Sequence, residues 1–177
     1  MRYLIIACSL LLVTSNRALA QTPKIENIEF LEYGIYTVDR RIQGRDALGI
    51  NKATASNVRH AATMRTVPAQ IGTTFGFCYK LIGTPYNAPV DLRKIVIFPP
   101  PGLMPSPASP PIPRDEFILH TQIGQTSYAA YTLEDRFELV PGNWIIEIWH
   151  GNRKLATQYF TLVNFDADCA YKMCARF

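Results

Sequence analysis

Beyond residue 20 the chain has no apolar run of the roughly 20 residues needed to cross a bilayer, so no transmembrane helix is expected there. It has no Gly-x-Ser-x-Gly nucleophile turn and no glycine-rich phosphate loop. The serines after residue 20 are Ser56, Ser106, Ser109 and Ser127, and each falls in a loop or at a strand start. Charge of one sign is not concentrated anywhere: 18 Lys and Arg stand interspersed with 14 Asp and Glu. That excludes the basic stripe of a nucleic-acid binder. Amphipathic helical periodicity and internal repeats are missing as well. No cofactor is implied.

Cysteine is scarce, at four residues. Cys8 lies in an N-terminal segment that reads as a signal peptide. Met1-Arg2-Tyr3 leads into the apolar run Leu4 to Val13, and Ala18-Leu19-Ala20 fits the small-x-small cleavage rule. The run is too short for a membrane anchor. Ile5-Ile6-Ala7-Cys8 resembles a lipoprotein signal, but most of the apolar core follows Cys8, which argues against it. Cleavage after Ala20 leaves 157 residues, with 16 basic against 14 acidic side chains. One domain with its own core is expected over 21–163, followed by a tail over 164–177. The expected location is periplasmic or secreted. Cys169 and Cys174 in the tail could close a small disulfide loop there. Cys78 lies in a strand pattern and reads as a small packed or half-exposed side chain.

Elsewhere the chain is written in strand chemistry. Phe75, Phe77, Tyr79 and Leu81 alternate along one face of a central strand. Ile25 to Val38 reads as a first strand with a bulge near Gly34, Arg40 to Asn57 as a long loop or exposed hairpin, and Val58 to Val67 as a strand ended or confined to an edge by Pro68. Val90 to Phe98 is a further strand. Glu116 to Ile123 and Ser127 to Leu133 read as a hairpin around Gly124-Gln125. Pro-Gly at 141–142 and Gly-Asn at 151–152 frame a last hairpin. Its register depends on whether the connection has an even or odd residue count. An odd count sets Trp144 against Phe160 and is preferred. Eight of the 13 prolines fall in Pro99 to Pro113, which excludes helix and predicts an extended polyproline crossover between two sheets. The pattern predicts an all-β, antiparallel immunoglobulin-like sandwich of about eight strands.

Four blocks carry a resemblance. Thr74-Phe75-Gly76-Phe77-Cys78-Tyr79-Lys80-Leu81, Phe98-Pro99-Pro100-Pro101-Gly102-Leu103, Leu139-Val140-Pro141-Gly142-Asn143-Trp144 and Trp149-His150-Gly151-Asn152-Arg153-Lys154-Leu155-Ala156, in that order, resemble the bacterial domain-of-unknown-function family 3859. Tyr33-Gly34-Ile35-Tyr36 fits the same pattern. The resemblance covers about 28–163. It implies a small exported β domain and supplies no catalytic residues. Cys78, where the family pattern suggests a polar residue, and the cysteine-bearing tail depart from it.

Few groups are placed for chemistry. Asp115-Glu116 and Glu134-Asp135 are adjacent, so on an extended backbone each pair points to opposite faces. His60, His120 and His150 lack the short spacing of a local metal motif. Asn164 to Asp168 opens like a calcium loop but lacks its glycine and closing glutamate. The more suggestive feature is Trp149, beside His150 and the basic turn residues Arg153 and Lys154. If Trp144, Ile146 and Ile148 face the core, Trp149 faces outward as a contact patch. Alternatively the 40–57 segment or the tail covers it. The expected function is a non-enzymatic interaction module of the bacterial envelope whose partner is a protein or glycan. A metal-binding or hydrolytic protein using His60, His120 or His150 is an alternative. A chaperone-like or structural domain acting through a sheet edge is another.

Overall fold

The computed structural model describes residues 21–164. They form β1 (Lys24–Arg45), β2 (Asn51–Ala62), β3 (Thr66–Ala69), β4 (Thr74–Thr84), β5 (Pro89–Ile97), β6 (Arg114–Gln122), β7 (Thr126–Thr132), a 3₁₀ turn (Arg136–Glu138), β8 (Gly142–His150) and β9 (Arg153–Asn164). A four-stranded sheet in the order β2-β1-β4-β7 stacks on a five-stranded sheet in the order β3-β9-β8-β5-β6. All pairings are antiparallel except that of β3 with β9. Cys169 and Cys174 lie outside the described residues.

The two-residue beat of the sequence is what the sheets bury. Phe75, Phe77, Tyr79 and Leu81 of β4 face Trp144, Ile146 and Ile148 of β8, and all seven are fully buried. Trp144 is the hub. Its indole lies 5.7 Å from the Phe75 ring and 5.3 Å from Tyr131 in the first sheet, and 4.9 Å from Phe98 at the end of β5. Its N–H donates to the Val140 carbonyl at 3.0 Å, so the one polar atom of the side chain is satisfied.

Register in the last hairpin follows the odd count, by a route the sequence does not announce. The Gly151-Asn152 turn has two residues, with Gly151 at φ +55°, and pairs His150 with Arg153 and Trp149 with Lys154. A one-residue bulge at Leu155 then moves the pairing to Ile148 with Ala156 and Trp144 with Phe160.

Three expectations are corrected. The proline segment is not a crossover between sheets. Leu103 and Ile112 exchange backbone hydrogen bonds at 2.9 and 2.8 Å, and their buried side chains pinch the segment into a closed loop. That loop returns the chain to the neighbouring strand of the same sheet, where β6 pairs with β5 from Pro89–Gln122 to Ile97–Arg114. The corner lies instead at Gly124-Gln125. β6 and β7 do not pair as a hairpin; Gly124, at φ +84° with its N–H on the Leu81 carbonyl, carries the chain into the other sheet, where β7 pairs with β4. The expected Val58–Val67 strand is two, because residues 63–65 move the chain from one sheet to the other. Pro68 then sits in the four-residue edge strand β3, where its missing N–H costs little. Nine strands result.

The 40–57 segment is a hairpin, but not a free one. β1 pairs with β4 only as far as Tyr36–Thr74 and continues paired with β2 alone. This β1–β2 arm arches over the gap between β6 and β7. Its turn is held by Asp46, whose carboxylate accepts the Leu48 and Ile50 amides at 2.9 and 3.0 Å. Ile50 at the tip is 1% exposed and joins the main core.

Where β2 first reaches β1, Gly34 has φ +137° and a Cβ there would lie 1.9 Å from the Ala62 carbonyl oxygen. Gly34→Ala is therefore expected to cost about 3 kcal/mol or more in urea unfolding. Gly44→Ala, at φ +144° with nothing near the added methyl, should cost only about 1 kcal/mol. Equal costs would show that the close approach at Gly34 is not a constraint.

Candidate functional site

Two surfaces gather functional side chains. The first is the outer face of the five-stranded sheet, where the sequence points to Trp149, His150, Arg153 and Lys154. Register places Ile118 of β6, Arg93 of β5, Trp149 of β8 and Lys154 of β9 in one row across four strands. Trp149 is half-buried, held between the Arg93 guanidinium at 5.9 Å and the Lys154 ammonium at 5.4 Å from the ring centroid. Its indole N–H donates to Glu147 at 2.8 Å, and Lys154 donates to the other oxygen of the same carboxylate at 2.9 Å. Hydrogen bonding and attraction to Glu147 raise the Lys154 pKa. The 40–57 arm does not cover Trp149; it lies on the β6–β7 side of the sandwich. A second row sets Arg114, Ile97, Ile145 and Tyr159 side by side. Ile118 and Tyr159 are each 58% exposed.

His150 is exposed beside this face. Arg153 turns away from it. Its guanidinium donates to the carbonyls of Ile25 and Glu26 at 3.1 and 2.8 Å, on the stretch of β1 that β2 does not pair. Arg65 does the same for β9, donating to the Tyr159 carbonyl at 3.1 Å while lying over the Tyr33 ring. These two unpaired stretches, one in β1 and one in β9, thus each carry a guanidinium on their carbonyls, which obstructs the addition of another strand there.

The three histidines sit on separate elements. His60 of β2 packs edge-on against Tyr36 and contacts the Tyr33 carbonyl. His120 of β6 pairs with Asp91 at 2.6 Å on the surface, and His150 ends β8. No group of three or more His, Cys, Asp or Glu able to hold a metal occurs among the described residues. Cys78 is buried between Glu32 and Tyr128, and burial raises its thiol pKa, which suppresses thiolate chemistry.

The second surface was not foreseen. The β1–β2 arm roofs a groove of about 290 Å³. Ala53, Ala55 and Val58 of the arm, Phe117 and Leu119 of β6 and Ala130 of β7 supply its apolar lining; Arg40, Lys94, Thr74, Thr132 and Glu138 supply the polar one.

Lys94 sits on the core-facing parity of β5 and is only 7% exposed. Its ammonium donates to the Ala130 carbonyl at 2.7 Å and lies 4.2 Å from the Phe117 ring centroid. Burial drives its pKa down to about 8, against the attraction of Asp115. Glu138, also buried, accepts the Tyr131 hydroxyl at 2.7 Å and the amides of Glu134 and Asp135. Burial raises its pKa. Arg40 pairs with Glu134. At the rim Arg45 grips Asp135 with two bonds of 2.8 and 3.0 Å, and Lys52 bridges Asp46 and Asp115 at 2.8 and 3.0 Å. Glu134, Asp135, Glu138 and Asp115 thus each have a cation or several N–H donors, whereas Lys94 has one neutral carbonyl. Only the parity of Lys94 among Val90, Leu92 and Val96 could have flagged it in the sequence.

A family model described as a domain of unknown function, DUF3859, matches residues 24–162. The chain belongs to the DUF3859 family. Among solved structures it is similar to an immunoglobulin-like protein from Pseudomonas aeruginosa, at a TM-score of 0.55 and 22% identity over 82% of this chain and 99% of that one. This supports the immunoglobulin-like fold and nothing further. A beta-D-glucoside glucohydrolase from Trichoderma reesei aligns over 77% of this DUF3859 chain and 19% of its own length, at 11% identity and a TM-score of 0.34, too low to carry an argument. A search of the curated proteins finds no match.

The buried ammonium has a measurable signature. A lysine whose folded pKa lies below its unfolded value of about 10.5 binds fewer protons when folded, so it destabilises below pH 8 and the penalty fades as pH rises toward 10.5. Lys94→Met is expected to raise unfolding free energy near pH 7 by about 1–3 kcal/mol, less any loss at the Ala130 carbonyl. The gain over wild type should shrink as pH approaches 10.5. A pH-independent difference would contradict the assignment.

Proposed function

We propose that this DUF3859 protein is an exported, non-enzymatic interaction module of the bacterial envelope, which binds a protein partner through the outer face of its five-stranded sheet. The observation that carries this reading is the pair of rows on that face, Ile118, Arg93, Trp149 and Lys154 in one and Ile97, Ile145 and Tyr159 in the other, with Glu116, Ile95, Glu147 and Thr157 between them. Trp149, Tyr159 and Arg93 are residue types enriched at protein interfaces, and the carboxylates between the rows are already paired, Glu147 with Trp149 and Lys154 and Glu116 with Arg93 and Arg114. A protein is favoured over a glycan because Arg93 and Lys154 already occupy the surroundings of the Trp149 ring, whereas a sugar needs a bare aromatic face. Export rests on the signal-like segment of residues 1–20. Among the described residues no helix is long and apolar enough to cross a membrane.

The sheet-edge alternative draws support from the stretch of β1 that β2 leaves unpaired, and is weakened by the Arg153 and Arg65 contacts there.

Ile118→Ser with Tyr159→Ser tests the face directly, because both side chains are mostly exposed. The double variant should melt within about 2 °C of wild type, yet lose the envelope proteins that wild type retains in affinity capture. Unchanged retention would refute the face as the binding surface.

A further inference from the structure

We infer that the groove beneath the β1–β2 arm is a binding site for a small ligand with a carboxylate head and an apolar body, the head pairing with the Lys94 ammonium. The groove lies apart from the Trp149 face, and mismatched pairing inside it is what points to a ligand. Lys94 is only 7% exposed and carries three N–H donors, of which one reaches a hydrogen-bond acceptor, the Ala130 carbonyl, beside the Phe117 ring. The charged groups that face the groove from each surrounding element are otherwise matched. Arg40 of β1 pairs with Glu134, Lys52 of β2 with Asp115 of β6, and Glu138 beside β7 accepts one hydroxyl and two amides. Tyr131 spends its hydroxyl proton on Glu138. A buried ammonium held by one carbonyl and the face of the Phe117 ring, with no carboxylate in hydrogen-bond contact, is a costly arrangement for a β-strand interior. An arriving carboxylate would accept the remaining donors in a charge-assisted bond.

The walls fit the rest of such a ligand. Ala53, Ala55, Val58, Phe117 and Leu119 give it apolar contact. The volume of about 290 Å³ lies at the small end of ligand pockets, which run from about 300 to 1,000 Å³. That admits a short aliphatic or single-ring acid. A larger anion such as a polysaccharide would not fit under the arm.

Hexanoate and its uncharged analogue hexanamide are the probes, titrated into the folded protein and followed by NMR at the methyl groups of Ala53, Ala55 and Ala130. Near pH 6.5, where Lys94 is protonated, hexanoate should bind at least about tenfold more tightly than hexanamide. Near pH 9.5, above the Lys94 pKa, that preference should vanish while hexanoate itself stays ionised. Lys94→Met should abolish it at both values. Equal affinities for the two probes near pH 6.5 would overturn the proposal. So would a preference that survives Lys94→Met, or no methyl shifts at about 10 mM hexanoate. Should the variant fail to fold, the two pH values on wild type decide the matter alone.

Discussion

The packing of Trp144 is the constraint on which the rest of the molecule depends. One indole touches rings from both sheets, Phe75 and Tyr131 on one side and Phe98 on its own, while Phe75 reaches across to Phe160. Aromatic contacts of this kind add about 0.5–1.5 kcal/mol each beyond the area they bury. Their larger role is geometric. Trp144 must face inward, which fixes β8 in register with β9 and β5 and sends every second residue of β8 outward. Trp149, five positions on, is therefore committed to the outer face by the same choice that buries Trp144.

The arm answers a different problem. β6 and β7 are the outermost strands of their sheets and do not pair with each other, and the chain closes that side with the far half of its longest hairpin instead of a further strand. The contact is made by ions at the rim and by Ile50 at the tip. Exposed ion pairs contribute little on their own, about 0–1 kcal/mol. An ammonium that bridges two carboxylates, one of them buried, as Lys52 does with Asp46 and Asp115, locates the arm more than it stabilises it.

Much of the fold was legible in the residues, and the reasons for the rest are specific. Alternation of Phe75, Phe77, Tyr79 and Leu81 is a local signal and appears in the sheet as written. Pairing partners are non-local, so the sequence could not show that β6 joins β5 through the proline loop or that Gly124 turns the corner. The Leu139-to-Val163 hairpin gave both parities, and only the Leu155 bulge reconciles a two-residue turn with an odd register. Trp149 was placed on the correct face, although its Glu147, Arg93 and Lys154 partners come from three strands. The groove was invisible. It depends on the arm crossing to β6, and Lys94 in a run of apolar neighbours gives no hint that its amine has only one acceptor.

Burial of Ile50 bears on how anything reaches that groove. Lifting the hairpin off the β6–β7 side would return an isoleucine to water at about 1.5–3 kcal/mol, besides parting several ion pairs. The roof is thus fastened at its far end to the same apolar mass that holds the two sheets together, and it is no hinged flap. Small molecules must enter along the flanks. Amide exchange in the hairpin would then be slowed by the cost of freeing Ile50 and its ion pairs, an opening that still falls short of whole-domain unfolding.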